Sequence, residues 1–297
     1  MYDKSDPRSQ LATASAAKPV GALAAASYGL FYKDAPGEDD ANGKTWYCRG
    51  VNFVIAYTEA AAGGTFSVSG HPDEYMTILP DPETPATASA GAQTETTGGY
   101  ALLIMPPGDS TITLAKGGKM VRIFTTKSDE ITARAANNAD YAEPSPNVPP
   151  LTPWPTPPAG FKVRVYTLDV PPFPGRYGRI WRSTNLMINM PPRSTGERDL
   201  AKLSPHHHDD FEQCSLALEG SWGHHMRWPW SINMAEWQQD VHARVESPSV
   251  TVIPAQVIHT STWHAEFNQL VDIFAPPRMD FSQKENWVIN ADEYPMP

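Results

Sequence analysis

Apolar positions along this chain come in short runs of four to eight residues rather than in long helical stripes, and Gly, Pro, Asn and Asp separate the runs. The first half holds candidate strands at Val51 to Thr58, Glu74 to Leu79, Tyr100 to Met105 and Met120 to Thr125. The second half holds them at Phe161 to Val170, Asn185 to Met190, Cys214 to Leu218, Val250 to Ile253 and Gln269 to Phe274. Long amphipathic helical stretches are scarce. Many short strands with turn signals between them predict an all-β fold of the sandwich or barrel kind. Between the halves, residues 143 to 160 carry eight prolines, which rules out helix and central strand and predicts a connector.

The two halves read as a diverged internal repeat. Asn52-Phe53-Val54-Ile55 is echoed by Asn185-Leu186-Met187-Ile188, and Val121-Arg122-Ile123-Phe124 by Val271-Asp272-Ile273-Phe274, in the same order. Between these landmarks, the segment Ile104 to Thr111 takes the place of Val252 to His259, so that Thr111 stands opposite His259 in the alignment. The expected organisation is an N-terminal lead-in over 1–44, a first barrel over 45–142, a proline-rich linker over 143–160, and a second barrel with a C-terminal tail over 161–297.

Candidate chemistry concentrates in the second half. In a strand, His206 and His208 point to one side and His207 to the other, so two imidazoles share one small volume. A third, His259, follows the strand-like run Ser249-Val250-Thr251-Val252-Ile253 and a proline turn. Three neutral imidazoles from two strands suit a divalent transition metal. Other templates are missing: the chain has no GxSxG elbow, no glycine-rich phosphate loop and no CxxC.

These residues resemble the cupin superfamily, whose first motif is G(X)5HXH(X)3,4E(X)6G and whose second is G(X)5PXG(X)2H(X)3N. Here His206-x-His208 is followed by four residues, Gln213, six more residues and Gly220; the second motif reads Pro254-x-Gln256-x-x-His259. Gln213 stands at the family's glutamate and Gln256 at its glycine. Leu200 and Pro248 replace the leading glycines, and Trp263 the closing asparagine. On the same template the first half offers Ser67, Ser69, Glu74 and Thr111, which lacks all three histidines. The resemblance implies two cupin barrels in one chain, each a double-stranded β-helix or jelly roll, with the metal in the second.

His206, His208 and His259 are the expected metal ligands, with Gln213 or its neighbour Glu212 as the fourth. Spacing to Gly220 favours Gln213, which puts Ser215 and Ala217 on the cavity face and leaves Cys214, Leu216 and Leu218 for packing. Downstream, Ser221 to Trp237 is dense in aromatic and basic residues. Arg227 is expected to clamp a substrate oxygen, and Glu212, His207 or His225 to serve as base; Trp228, Trp230 and Trp237 either wall the pocket or pack the barrel. Catalytic candidates are therefore Glu212, His225 and Arg227.

Among cupins with three histidines, the resemblance points first to a non-haem iron dioxygenase of an enolisable or phenolic compound. A redox-neutral isomerase or lyase using the metal as Lewis acid is the second expectation, and a non-catalytic binding protein the third. Iron(II) is the expected metal, with manganese, nickel, zinc or copper as alternatives. The net charge of −10, from 33 acidic against 23 basic residues, argues against nucleic acid or an anionic membrane surface as partner. A small molecule is expected instead, and a homodimer is left open. Two cysteines give no disulfide framework, so a cytoplasmic chain is expected; Met1 to Lys18 lacks the pattern of a secretory signal and no apolar run is long enough to span a bilayer.

Overall fold

A computed structural model describes residues 19–297; the expected lead-in over Met1 to Lys18 lies outside the described residues. Two large antiparallel sheets form its centre, and they repeat one another over six strands each. In spatial order the first runs Arg164–Thr167, Ala101–Met105, Tyr75–Leu79, Gly118–Thr125, Phe53–Ala60, Gly43–Arg49, Glu38–Asp40. The second runs Ser27–Gly29, Ser249–Ile253, Gln213–Glu219, Phe267–Phe274, Met187–Asn189, Ile180–Arg182. A smaller sheet closes each into a barrel: Gly64–His71, Gly108–Leu114, Ala86–Ala90 and Gln93–Thr97 over the first, Val241–Glu246, Ser221–Arg227 and Ile258–Trp263 over the second. Register agrees as well as order. Arg122 pairs with Thr77 on one side and Ala56 on the other; Asp272 pairs with Ser215 and Asn189 in the same way.

Strand alternation sends one face of each large sheet into its own barrel and the other against the neighbouring barrel. In Gly118–Thr125, Met120 and Phe124 pack inside the first barrel, while Val121 and Ile123 join Ile55, Ile78, Leu216 and Ile273 in a core shared by both sheets. Each such side chain contributes roughly 1.5–3 kcal/mol by leaving water, so the shared core welds the barrels into one unit. Both faces being buried, these strands read as nearly unbroken apolar runs. The outer strands alternate instead: in Gly64–His71, Phe66 is buried while Thr65, Ser67 and Ser69 are exposed.

Strand pairing crosses the boundaries expected from sequence. Ser27–Gly29, inside the expected lead-in, forms the edge of the second sheet through Tyr28 opposite Thr251. Arg164–Thr167, expected in the second barrel, pairs instead with Ala101–Met105 of the first. Each barrel thus borrows its edge strand from beyond its own stretch of chain, which covers backbone groups that an open edge exposes. The proline-rich segment 143–160 forms no strand. It is pinned where Trp154 donates its backbone N–H to Thr184 O at 2.7 Å and Pro149 O accepts from Asn52 Nδ2 at 3.0 Å.

Candidate metal centre

A two-residue bridge builds the site. His206 N donates to His259 O at 3.0 Å and His259 N to His206 O at 2.7 Å, so the two histidines stand side by side. Gln256 N donates to His208 O at 2.5 Å from a turn in which Gln256 takes φ +66°, the left-handed conformation for which glycine is the unstrained choice. Ring centroids lie 4.3 Å apart for His206 and His259, 5.0 Å for His206 and His208, and 5.3 Å for His208 and His259. One nitrogen from each falls within 4.8 Å of the others.

Gln213 completes the set. Its Oε1 stands 2.9 Å from His208 Nε2 and 3.4 Å from His259 Nε2. Its Nε2 donates to Asp272 Oδ1 at 3.0 Å and to Ser215 Oγ at 3.1 Å, which turns the amide so that oxygen faces the imidazoles. His259 Nδ1 lies 2.9 Å from Val257 O, and His206 Nδ1 2.9 Å from Ser204 O. A neutral imidazole has one N–H. With that proton on Nδ1 and directed at a carbonyl, the Nε2 lone pair of His259 meets the Gln213 oxygen lone pair. A divalent cation between them makes ligands of both, so the donor set fits a metal. Burial holds His208 well below the usual imidazole pKa, aided by the Arg278 charge and the neighbouring imidazoles, which keeps it neutral as a ligand must be.

Beside the imidazoles lies a cavity of about 210 Å³. Trp222, Trp263, Leu270, Phe274 and Phe281 give it apolar walls, and among the described residues Asp272 is the one carboxylate that lines it. Arg198 and Arg278 supply positive charge; the Arg278 guanidinium lies 3.6 Å over the Phe281 ring and pairs with Asp280. Beneath Gln213, the register sets Asn189, Asp272, Ser215 and Thr251 in a row across four strands, all buried. The Asn189 amide, Thr251 Oγ1 and His224 Nε2 are buried polar atoms with no hydrogen-bond partner among the described residues. The matching row of the first barrel is Ala56, Arg122, Thr77, Leu103, polar at its two central positions only, so a row polar across all four strands is a property of the second barrel.

The three catalytic candidates fall elsewhere. Glu212 alternates away from the cavity into the seam between barrels, where its Oε2 accepts from Val51 N at 2.6 Å and its Oε1 from Tyr141 OH at 3.5 Å. Burial raises its pKa to about 7. Glu74 makes the mirror-image contact, its Oε2 accepting from Thr184 N at 3.1 Å and its Oε1 from Tyr294 OH at 2.8 Å, so both acids are latches between barrels. Strand Ser221–Arg227 turns Trp222 inward and His225 and Arg227 outward. Arg227 forms a bidentate pair with Asp240 on the exposed face, and His225 sits against His242 and Thr262. His207 pairs with Asp209 at 3.3 Å. Of the tryptophans expected near the pocket, Trp228 packs on Leu23, and Trp230 and Trp237 stack together in an exposed loop; Trp222 and Trp263 are the ones that line the cavity.

The first barrel's counterparts also differ from the motif alignment. Ser67 and Thr111 bond one another at 2.9 Å on the outer face, because a bulge between Gly108 and Ser110 shifts the alternation by one residue. The matched registers put Tyr75 in the place of Gln213; Gly108 pairs with His71 as Gln256 N meets His208 O, which puts His71 in the place of His208, and the buried Ser110 stands beside them. Tyr75 OH and Ser110 Oγ are 2.9 Å apart, and the His71, Tyr75 and Phe124 rings pack within 4.8 to 5.4 Å of one another. One imidazole, a phenol and a hydroxyl fill this site rather than form a metal-binding set.

No protein-family model matches this chain, and no curated protein matches it in sequence. Solved structures do. An oxalate decarboxylase from Lactobacillus farciminis, in a formate complex, has a TM-score of 0.56 at 12% identity over 89% of this chain and 88% of that one. A Bacillus subtilis oxalate decarboxylase described for its Mn(II) centers has a TM-score of 0.51 at 10% identity, over 93% and 83%. AerE from Microcystis aeruginosa has 0.50 at 8%, over 86% and 99%. At such identities the likeness shows the fold, and that fold is two cupin barrels in one chain.

Proposed function

We propose that this two-barrel cupin is a metal-dependent enzyme acting on a small organic molecule in its second barrel. The convergence of three imidazole nitrogens and the Gln213 oxygen on one point beside the cavity carries the reading. His206, His208, His259 and Gln213 hold the metal, all as neutral donors, so the ion keeps its full charge. Bound there, a divalent ion supplies Lewis-acid stabilisation of an anionic substrate oxygen, and iron(II) also supplies access to dioxygen.

The chain's own residues do the rest. Trp222, Trp263 and Phe274 exclude water and suit a planar enolic or phenolic body. Arg198 and Arg278 attract a negative oxygen, and Asp272, replacing Glu212 and His225 in this role, is the carboxylate placed to receive a substrate proton. The aromatic walls favour the dioxygenase reading, with iron(II). A redox-neutral lyase with manganese is the second reading, favoured by Asp272 and by the decarboxylases among the structural neighbours.

Elemental analysis of the purified chain beside His208→Ala and His259→Ala tests the site. Near-stoichiometric metal in the parent and its loss from both variants is expected; no metal in the parent, or full retention in both variants, refutes it. Dissolved-oxygen consumption by iron-loaded protein with catechols and 1,3-diketones then separates the dioxygenase from the lyase.

A further inference from the structure

Arg122 is the one buried charge in the first barrel that the metal site leaves without a task. Its parity with Met120 and Phe124 aims it into the barrel, where it is 6% exposed. Among the described residues no carboxylate pairs with it and no oxygen accepts from it, and its Nε is a buried donor without a partner. Directly opposite, Thr77 Oγ1 is buried and unpartnered too. The rings of Phe66 and Phe124 lie 5.1 and 5.7 Å from the guanidinium carbon. Ring faces offset part of the desolvation of a cation, but they do not satisfy its in-plane N–H groups. The apolar cluster it sits in combines methyl-sized side chains, Ala56 on its own sheet and Ala86 and Ala88 on the facing one, with the larger Leu79, Leu103, Ile112 and Leu114. In the second barrel the equivalent Asp272 is satisfied by Gln213 and Ser215. The first barrel carries the opposite charge at the same place and gives it no counterpart.

We propose that the interior of the first barrel binds a small organic carboxylate, with its oxygens on the Arg122 guanidinium and the Thr77 hydroxyl and its apolar body beside Phe66 and Phe124. A planar guanidinium matches a carboxylate edge to edge. One cation with one hydroxyl among aromatic rings suits a monoanion with an apolar body better than a phosphate, which needs more donors. This site is independent of the metal in the other barrel.

The full chain, dialysed against a chelator so that the second barrel holds no metal, is titrated with benzoate, acetate, phosphate and chloride at matched ionic strength. Heat of binding and the unfolding midpoint are recorded. Benzoate or acetate is expected to raise the midpoint and to bind at least roughly tenfold more tightly than phosphate. Arg122→Met is expected to unfold above the ligand-free parent, having lost a desolvated charge, and to ignore both carboxylates. Arg122→Lys is expected to keep a response weakened roughly tenfold, and stands in should the Met variant fail to fold. The proposal is overturned by a parent that responds to neither carboxylate beyond chloride, by phosphate binding as tightly as they do, or by an undiminished response in either variant.

Discussion

Acid should destabilise this protein through His71, the first barrel's counterpart of His208. Burial lowers its pKa from 6.5 to about 4, and its ring packs against Tyr75 and Phe124 at centroid distances of 5.4 and 5.2 Å. The folded pKa is depressed, so the unfolded chain binds the proton first. Stability is therefore complete above pH 6.5 and falls as pH drops toward 4. A tenfold difference in proton affinity between the folded and unfolded chain is worth about 1.4 kcal/mol, so the loss is about 2 kcal/mol at pH 5 and about 3 kcal/mol at pH 4. For a chain of this size, 2 kcal/mol corresponds to roughly 3 °C in the unfolding midpoint. Asp73, whose carboxylate lies 3.5 Å from His71 Nε2, is raised by burial and works with the opposite sign. A difference measurement isolates the histidine. His71→Phe keeps an aromatic ring between Tyr75 and Phe124 and leaves Asp73 in place. Urea unfolding of parent and variant from about pH 7.5 to 4 should show the parent losing about 2 kcal/mol more than the variant by pH 5. Parallel pH profiles, within about 0.5 kcal/mol, would refute the argument that a buried neutral imidazole governs the acid limb.

Two further outcomes follow from the second barrel. Gln213→Glu replaces the amide that donates to Asp272 Oδ1 with a carboxylate, so the metal-free variant should lose about 2 kcal/mol by like-charge contact, and added divalent metal should restore it; equal midpoints without metal would contradict the Gln213 orientation. Gly220→Ala places a Cβ 2.3 Å from Asn268 Oδ1 at φ +91°, and should cost about 3 kcal/mol by calorimetry, whereas a loss under about 1 kcal/mol would show that Asn268 yields freely.

What could be read from the sequence divides by how many faces a strand buries. Val121-Arg122-Ile123-Phe124 and Phe53-Val54-Ile55-Ala56 are covered on both sides, so they stand out as apolar runs, and their repetition reveals two barrels. Gly64–His71 and Val241–Glu246 face water on one side, and their polar residues at alternate positions read as loops; Gln93–Thr97 is polar throughout and buries no residue. His206, His208, Gln213, Gly220 and His259 are legible because their spacing is a property of one chain segment at a time. Glu212 is not, because its partner Val51 lies 161 residues away. Arg227 and His225 have the right chemistry for a pocket, while strand parity turns them outward. Asp272 carries a usable signal in the sequence, an acid amid Val271, Ile273 and Phe274, where burial demands a partner or a task.

The exchanged edge strands also fix the order in which the molecule is completed during synthesis. Tyr28 is made more than two hundred residues before its partner Thr251. The first barrel can close once Arg164–Thr167 has emerged, whereas the second barrel's edge closes only after Ser249–Ile253 is available to the waiting N-terminal strand. Truncated products that stop between these points carry a finished first barrel and an unpaired Ser27–Gly29 strand. Such fragments are open to pairing with the wrong neighbour until Ser249–Ile253 covers that strand.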